Sequence, residues 1–222
     1  MKRSPNRRAV MANRYMPISL TVKDRSCVVV GGGTIALRKV DNLLPYAVNI
    51  TVIAPELDPK LEYYAERSMI KIEKREYMAP EAARFDIAIA ASSDEAVNQQ
   101  VYDDCRNTPT ICNVVDNPPL CDFIFPAVVR RDTLTLAVST DGTAPFLAGH
   151  LRLILENIFP EHWEKLMGLA GTFRNQVQQK WTGDTEKKNA CYERFLEADW
   201  KTILKEKSNE EIEAELERML TF

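Results

Sequence analysis

The sequence predicts an α/β protein, a parallel-sheet domain followed by a β-hairpin and a helical tail, and three observations predict it. A β-branched apolar run, Cys27 to Val30, stops at Gly31-Gly32-Gly33, and apolar residues at helical spacing follow at once. Strand-like and helix-like segments then alternate as far as Val115. Parallel neighbours need a connection long enough to return across the sheet, so this alternation indicates right-handed crossovers in one parallel sheet. Past Pro118-Pro119 the alternation ends, and two strand-like runs separated by a short polar turn lead into amphipathic helix.

Taken in order, Cys27–Val30 is a buried strand, and Ile35, Ala36, Lys39, Val40, Leu43 and Leu44 form a helix that Pro45 closes. Asn49 to Ala54 is a second strand ending at Pro55, and Pro59 to Arg67 is a short helix with Leu61 and Ala65 on one face. Met69 to Glu73 and Ile87 to Ala91 are the third and fourth strands. A helix then starts at Asp94, with Val97, Val101 and Cys105 recurring every fourth residue, and Ile111 to Val115 is the fifth strand. Phe123 to Val129 and Leu134 to Ser139 are expected to pair through a turn at Arg130-Arg131-Asp132, too short for a helical crossover. From Ala144 a helix presents Leu147, Leu151, Leu155 and Ile158, and a Lys/Glu-rich helical tail runs to Phe222.

Composition sets limits on function. Hydrophobic residues make up 45% and charged residues 27% of 222 residues, as in folded globular proteins. A net charge of -3, from 29 basic and 32 acidic residues, provides no global field for nucleic acid, so an anionic ligand must be met by a local basic cluster. Cys27, Cys105, Cys112, Cys121 and Cys191 are odd in number and contain no C-x-x-C pair, which argues against a disulfide framework or zinc knuckle and for a reduced, cytoplasmic setting. No apolar run approaches the roughly 18 to 20 residues of a membrane span. Lys2, Arg3, Arg7, Arg8 and Arg14 make the first 14 residues a basic extension without the apolar core of a secretory signal.

Gly31-Gly32-Gly33-Thr34-Ile35-Ala36 fits G-x-G-x-x-A after a strand and at the head of a helix, the dinucleotide-binding turn of a Rossmann-like domain. Gly31 makes the turn, Gly33 admits close approach of a pyrophosphate, and Ala36 allows tight helix-to-strand packing. Gly31, Gly32, Gly33, Thr34, Ile35 and Ala36 are therefore the expected cofactor-binding residues, with Ser92 and Ser93 counted beside them. An acidic group that grips the ribose 2'-hydroxyl is expected at the end of the second strand, where the sequence reads Ala54-Pro55-Glu56. Glu56 either does that work or faces solvent. No arginine follows that strand directly, which favours NAD over NADP.

Asp116 follows the fifth strand, at the end of an open parallel sheet where ligands bind, and its carboxylate can accept a proton or hold a metal. The alternative is a turn residue before Asn117-Pro118. Ser139 and Thr140 read as hairpin-end or helix-cap residues at least as well as catalytic ones. His150 and His162 are the only histidines, so a histidine-rich metal site is not expected.

The run Val28 to Leu44 resembles the opening of the precorrin-2 dehydrogenase family, found alone and as the front part of multifunctional siroheme synthases. The resemblance continues in order through Ile89 to Asn98, Cys112 to Asp116, Phe123 to Ala127, Ala137 to Pro145 and the Leu151 to Glu156 helix, covering about Tyr15 to Pro160. It implies oxidation of precorrin-2 to sirohydrochlorin with NAD+ as hydride acceptor and Asp116 as catalytic residue. In some members it also implies ferrochelatase activity, in which Fe2+ is a substrate that Asp116 would meet transiently. It further implies a homodimer built on the hairpin and following helix, with a helical C-terminal domain closing the substrate cleft. The expected divisions are 1–14, 15–117, 118–160 and 161–222. The polycarboxylate tetrapyrrole would be gripped by Arg38, Lys39, Arg130, Arg131 and Arg152, with Ser139 and Thr140 at the family's serine-rich turn. The sequence departs from many relatives there, carrying Thr140 and Asp141. The chain is too short to hold the methyltransferase domain of the fused enzymes as well, and neither nucleic acid nor membrane is an expected partner. A non-catalytic, NAD-sensing regulatory domain is the competing reading, and it gives no reason for the stretch from Asp116 through Pro145.

Overall fold

The computed structural model describes residues 14–222. The basic extension, apart from Arg14, lies outside the described residues. Two compact units divide the chain, one up to Phe125 and the other from Pro126 to Phe222.

The first unit is a five-stranded parallel sheet of order β3-β2-β1-β4-β5. Its strands are β1 (Ser26–Val30), β2 (Asn49–Ile53), β3 (Lys71–Glu73), β4 (Ile87–Ala90) and β5 (Ile111–Val114). The helices α1 (Thr34–Leu43), α2 (Pro59–Glu66) and α3 (Glu95–Cys105) connect them. β1 is central because its side chains are apolar on both faces: Cys27 and Val29 join one buried cluster with Val40, Val52 and Leu61, while Val28 and Val30 join another with Ala88, Val101 and Cys112. Helix starts follow local chemistry. The Asp58 carboxylate accepts the backbone N–H of Lys60 at the head of α2, and that of Asp94 accepts Ala96 N–H at the head of α3.

The third strand begins at Lys71 instead of Met69, which is exposed. A larger correction concerns the hairpin. Phe123 and Phe125 are not strand residues; they pack on the β1 cluster of the first unit, edge to face with centroids 5.4 Å apart. Pro126 lies inside the run expected as a strand, and it donates no ladder hydrogen bond.

The second unit opens with the antiparallel pair β6 (Ala127–Arg131) and β7 (Leu134–Val138). Arg131 pairs with Leu134, so Arg130 and Arg131 are strand residues and the turn is Asp132-Thr133, with Asp132 at a φ of 51°. Aspartate tolerates that left-handed conformation. Helix α4 (Pro145–Ile158) follows, and α5 (Trp163–Lys180), α6 (Thr185–Glu197), α7 (Trp200–Glu206) and α8 (Asn209–Met219) enclose a core of Leu166, Phe173, Phe195, Trp200, Ile212 and Leu216. Among the described residues no helix is long and apolar enough to cross a membrane.

Candidate functional site

The site assembles where β1 stops. Gly31 donates its N–H to the Ile53 carbonyl on one side, while Ala91 N–H reaches Val30 on the other, at 2.9 and 2.8 Å. The sheet changes direction between β1 and β4, the switch point at which open parallel sheets bind ligands. A Cβ on Gly31 would lie 2.4 Å from the Ala91 carbonyl oxygen, and one on Gly32 would lie 1.9 Å from that of Glu56. Gly32 is thus a packing residue under the loop that follows β2, held further by Asp58 N–H to its carbonyl at 2.7 Å. Gly33 differs: nothing stands within 4 Å of a Cβ built on it.

That open space faces the head of α1. Gly33 is the N-cap, no side chain caps the helix, and its first turn carries no acidic residue. The amides of Thr34, Ile35 and Ala36 lack intrahelical acceptors, and with the helix dipole they form a receptor for phosphate. Ala36 is fully buried against the sheet. The residues present therefore fit the pyrophosphate of a dinucleotide. Glu56 gives its carbonyl to the packing on Gly32, and its carboxylate is exposed and makes no hydrogen bond or ion pair among the described residues.

The turn after β4 lies directly against Gly31. Ser92 receives both amide atoms of Asn98: its N–H donates to Asn98 Oδ1 at 3.0 Å, and its carbonyl accepts from Nδ2 at 2.9 Å. Ser92 Oγ accepts Asp94 N–H at 3.1 Å, so most of the bonding capacity of Ser92 is used within the turn, while Ser93 is exposed. Sequence reasoning missed Asn98, since a polar residue in a helix carries no sign of what it reaches.

Asp116 occupies a left-handed turn beyond β5, with φ 59°, and is exposed. Asn113 Nδ2 donates to the Phe123 carbonyl at 2.8 Å, and Cys121 Sγ lies 3.1 Å from the Val114 carbonyl, folding the segment back over the strand end. Lys39 belongs with this group. Its ammonium stands 4.5 Å from the centroid of Phe125. Burial, then the positive charge of Arg38, lower its pKa, and the negative charge of Asp116 opposes that shift. Lys39 thus lies within electrostatic reach of Asp116, which the sequence pattern had placed in a separate role. Arg38 is exposed on α1.

The remaining expected substrate residues lie in the second unit. Arg131 is tied to backbone, donating to the Phe159 carbonyl at 2.8 Å and the Arg130 carbonyl at 2.7 Å. Arg130 lies on β6 with its neighbour, and Arg152 pairs with Glu156 along α4. Ser139 Oγ accepts Asp141 N–H and Thr140 Oγ1 accepts Ala144 N–H, both at 3.2 Å, which shapes the entry to α4. His150 is exposed, and His162 is the residue before α5. Among the described residues no group of three or more histidine, cysteine or acidic side chains is arranged to hold a metal.

With this geometry in hand, a family model of NAD(P)-binding domains matches residues 18–127. Siroheme synthase of Nitrosococcus oceani is 34% identical over 207 residues, 93% of this chain and 44% of its own length. Siroheme synthase of Methylococcus capsulatus is 39% identical over 165 residues, 74% of this chain and 35% of its own. Over most of its own length the chain is thus similar to siroheme synthases. It spans less than half the length of these curated relatives. Siroheme synthase 2 of Cronobacter sakazakii is similar on the same scale, at 36% identity over 83% of the chain. The solved structure of SirC, precorrin-2 dehydrogenase, aligns with a TM-score of 0.73 over 94% of this chain and 100% of that one, at 22% identity, which establishes a shared fold. The glycine turn lies within the segment that the NAD(P)-binding model matches.

Proposed function

We propose that the chain catalyses the NAD+-dependent dehydrogenation of precorrin-2 to sirohydrochlorin in siroheme biosynthesis. One observation carries the reading: an exposed carboxylate, Asp116, at the carboxyl end of the same parallel sheet whose central strand ends in the dinucleotide turn. Bound NAD+ supplies the hydride acceptor. The α1 amides and Gly33 hold its pyrophosphate, and Asp116 takes the proton that leaves the reduced tetrapyrrole as the hydride departs. Lys39 and Arg38 offer cations to the substrate's carboxylates. NAD+ is favoured over NADP+ because Ile53 is followed by Ala54-Pro55-Glu56, where a 2'-phosphate would meet an acid and no arginine. The same carboxylate would receive ferrous ion if the product is metallated by this chain. All five cysteines are free, in keeping with a reduced cytoplasmic setting. The working state is a homodimer joined through β6, β7 and α4.

The test is anaerobic incubation with precorrin-2 and NAD+ or NADP+, then ferrous or cobaltous ion, following NADH and tetrapyrrole absorbance separately. Asp116→Asn should keep its fold and NAD+ affinity but lose at least about a hundredfold in oxidation rate, the scale of a lost general base. Asparagine still tolerates the left-handed turn, yet it takes no proton at neutral pH. Oxidation at the wild-type rate would remove Asp116 as the base.

A further inference from the structure

We propose that Asn98 is a positioning residue of the dinucleotide site, acting through the backbone of the turn that follows β4; the proposal rests on cofactor binding at the glycine turn. The reason lies in what faces Gly31. That glycine has a φ of 123°, and a Cβ there would lie 2.6 Å from the Ala91 carbonyl carbon and 2.9 Å from Ser92 N, so the Ala91-Ser92 peptide forms the wall on which the dinucleotide turn rests. A parallel sheet gives that peptide no ladder partner beyond its edge. Ala91 N–H still reaches Val30, but Ser92 is already past the strand, and its amide and carbonyl would otherwise be free to rotate.

Asn98 closes them. It sits in the first turns of α3 with its own N–H donated to the Asp94 carbonyl at 3.2 Å, so its backbone is fixed by the helix. From there its carboxamide makes the paired contact with Ser92 described above, an acceptor to the N–H and a donor to the carbonyl. This side chain imitates the hydrogen-bonding of a neighbouring strand for one residue. The result is that the cofactor-facing turn is locked to a rigid helix, which spares the cofactor the cost of ordering it. Only an atom pair with one acceptor and one donor at this spacing serves. A carboxylate keeps the acceptor but sets a negative oxygen against the Ser92 carbonyl; a protonated carboxyl regains the donor.

The distinguishing variant is therefore Asn98→Asp, compared with Asn98→Ala and the unaltered protein by calorimetric titration of NAD+ between pH 4 and 8, a range that reaches the ordinary aspartate pKa of about 3.9. The KM for NAD+ and kcat are measured at neutral pH with precorrin-2 in excess. Both variants should bind NAD+ about tenfold more weakly at pH 8, the scale of two lost hydrogen bonds, with a raised KM and a kcat at saturating NAD+ within about twofold of normal. Affinity of Asn98→Asp should recover as the pH falls and the introduced carboxyl takes up its proton, while Asn98→Ala stays weak throughout. That recovery separates positioning from general loss of stability, and it remains readable if Asn98→Ala fails to fold. NAD+ affinity within twofold of normal in Asn98→Asp at pH 8 overturns the role of Asn98 alone. Absence of NAD+ binding by the unaltered protein overturns the cofactor reading and this proposal together.

Discussion

At Gly31 the backbone has a φ of 123° and a Cβ would stand 2.4 Å from the Ala91 carbonyl oxygen, whereas a Cβ on Gly33 would enter empty space. The two glycines of one motif thus differ: the first is required by the fold, while the fold sets no such demand on the last, which leaves room for the proposed dinucleotide. Gly31→Ala is expected to destabilise the protein by about 3 kcal/mol, combining left-handed strain with displacement of the β4 turn, as read by denaturant unfolding. Gly33→Ala should unfold at an almost unchanged denaturant concentration yet lose about tenfold or more in NAD+ affinity, worth about 1.4 kcal/mol. Equal stability losses at both positions would contradict this division. The place of the glycine turn and the demand on Gly31 were legible in the sequence, because a turn after a strand is a local backbone requirement. The proximity of Lys39 to Asp116 was not, because the sheet order brings them together across a wide gap in the chain, nor was Asn98, whose partner only six residues away is set by how the turn after β4 folds back on α3.

Helix α4 is the element whose surroundings are least explained by the chain itself. Of its 14 residues only Ala148 is buried, while Phe146 is 82% and Ile158 57% exposed, with Leu147, Leu151, Leu153 and Ile154 also exposed. An apolar surface of this kind on a folded chain marks an interaction face. A second copy of the same face can cover it by twofold symmetry, and the two-stranded sheet of β6 and β7, marginal by itself, would gain from the same burial. Light scattering at micromolar concentration should report a dimer, and Leu153→Gln with Ile154→Gln should shift it to monomer without lowering helix content. A monomer in the unaltered protein would refute the assembly while leaving the chemistry untouched. The periodicity of α4 was readable as a helix with an apolar stripe, but which part of the stripe is covered is a tertiary outcome. The strand expected from Phe123 failed for a similar reason. Its aromatic residues resemble those of a strand, but Phe123 and Phe125 pack on the core of the first unit.

Over the whole molecule, both clusters that flank the parallel sheet draw only on residues up to Phe125, and the helical core draws only on residues after it. A polypeptide ending at Phe125 should therefore unfold in one cooperative thermal transition and retain NAD+ binding, since Phe123, Phe125 and the complete glycine turn remain with it. Loss of the cooperative transition, followed by circular dichroism, would show that the two units are energetically inseparable. The sequence by itself determined the order of strands and helices, the place of the dinucleotide turn and the candidacy of Asp116. Each of these follows from local rules of periodicity, glycine conformation and strand termination. Only the tertiary structure decided that Gly32 packs under the β2 loop, that Arg131 is spent on backbone carbonyls, that Lys39 lies within the field of Asp116, and that Asn98 clasps Ser92. Those facts are set by where the folded backbone places each side chain, whether its partner is six residues away, as for Asn98 and Ser92, or far along the chain, and no local pattern encodes which partner it will meet.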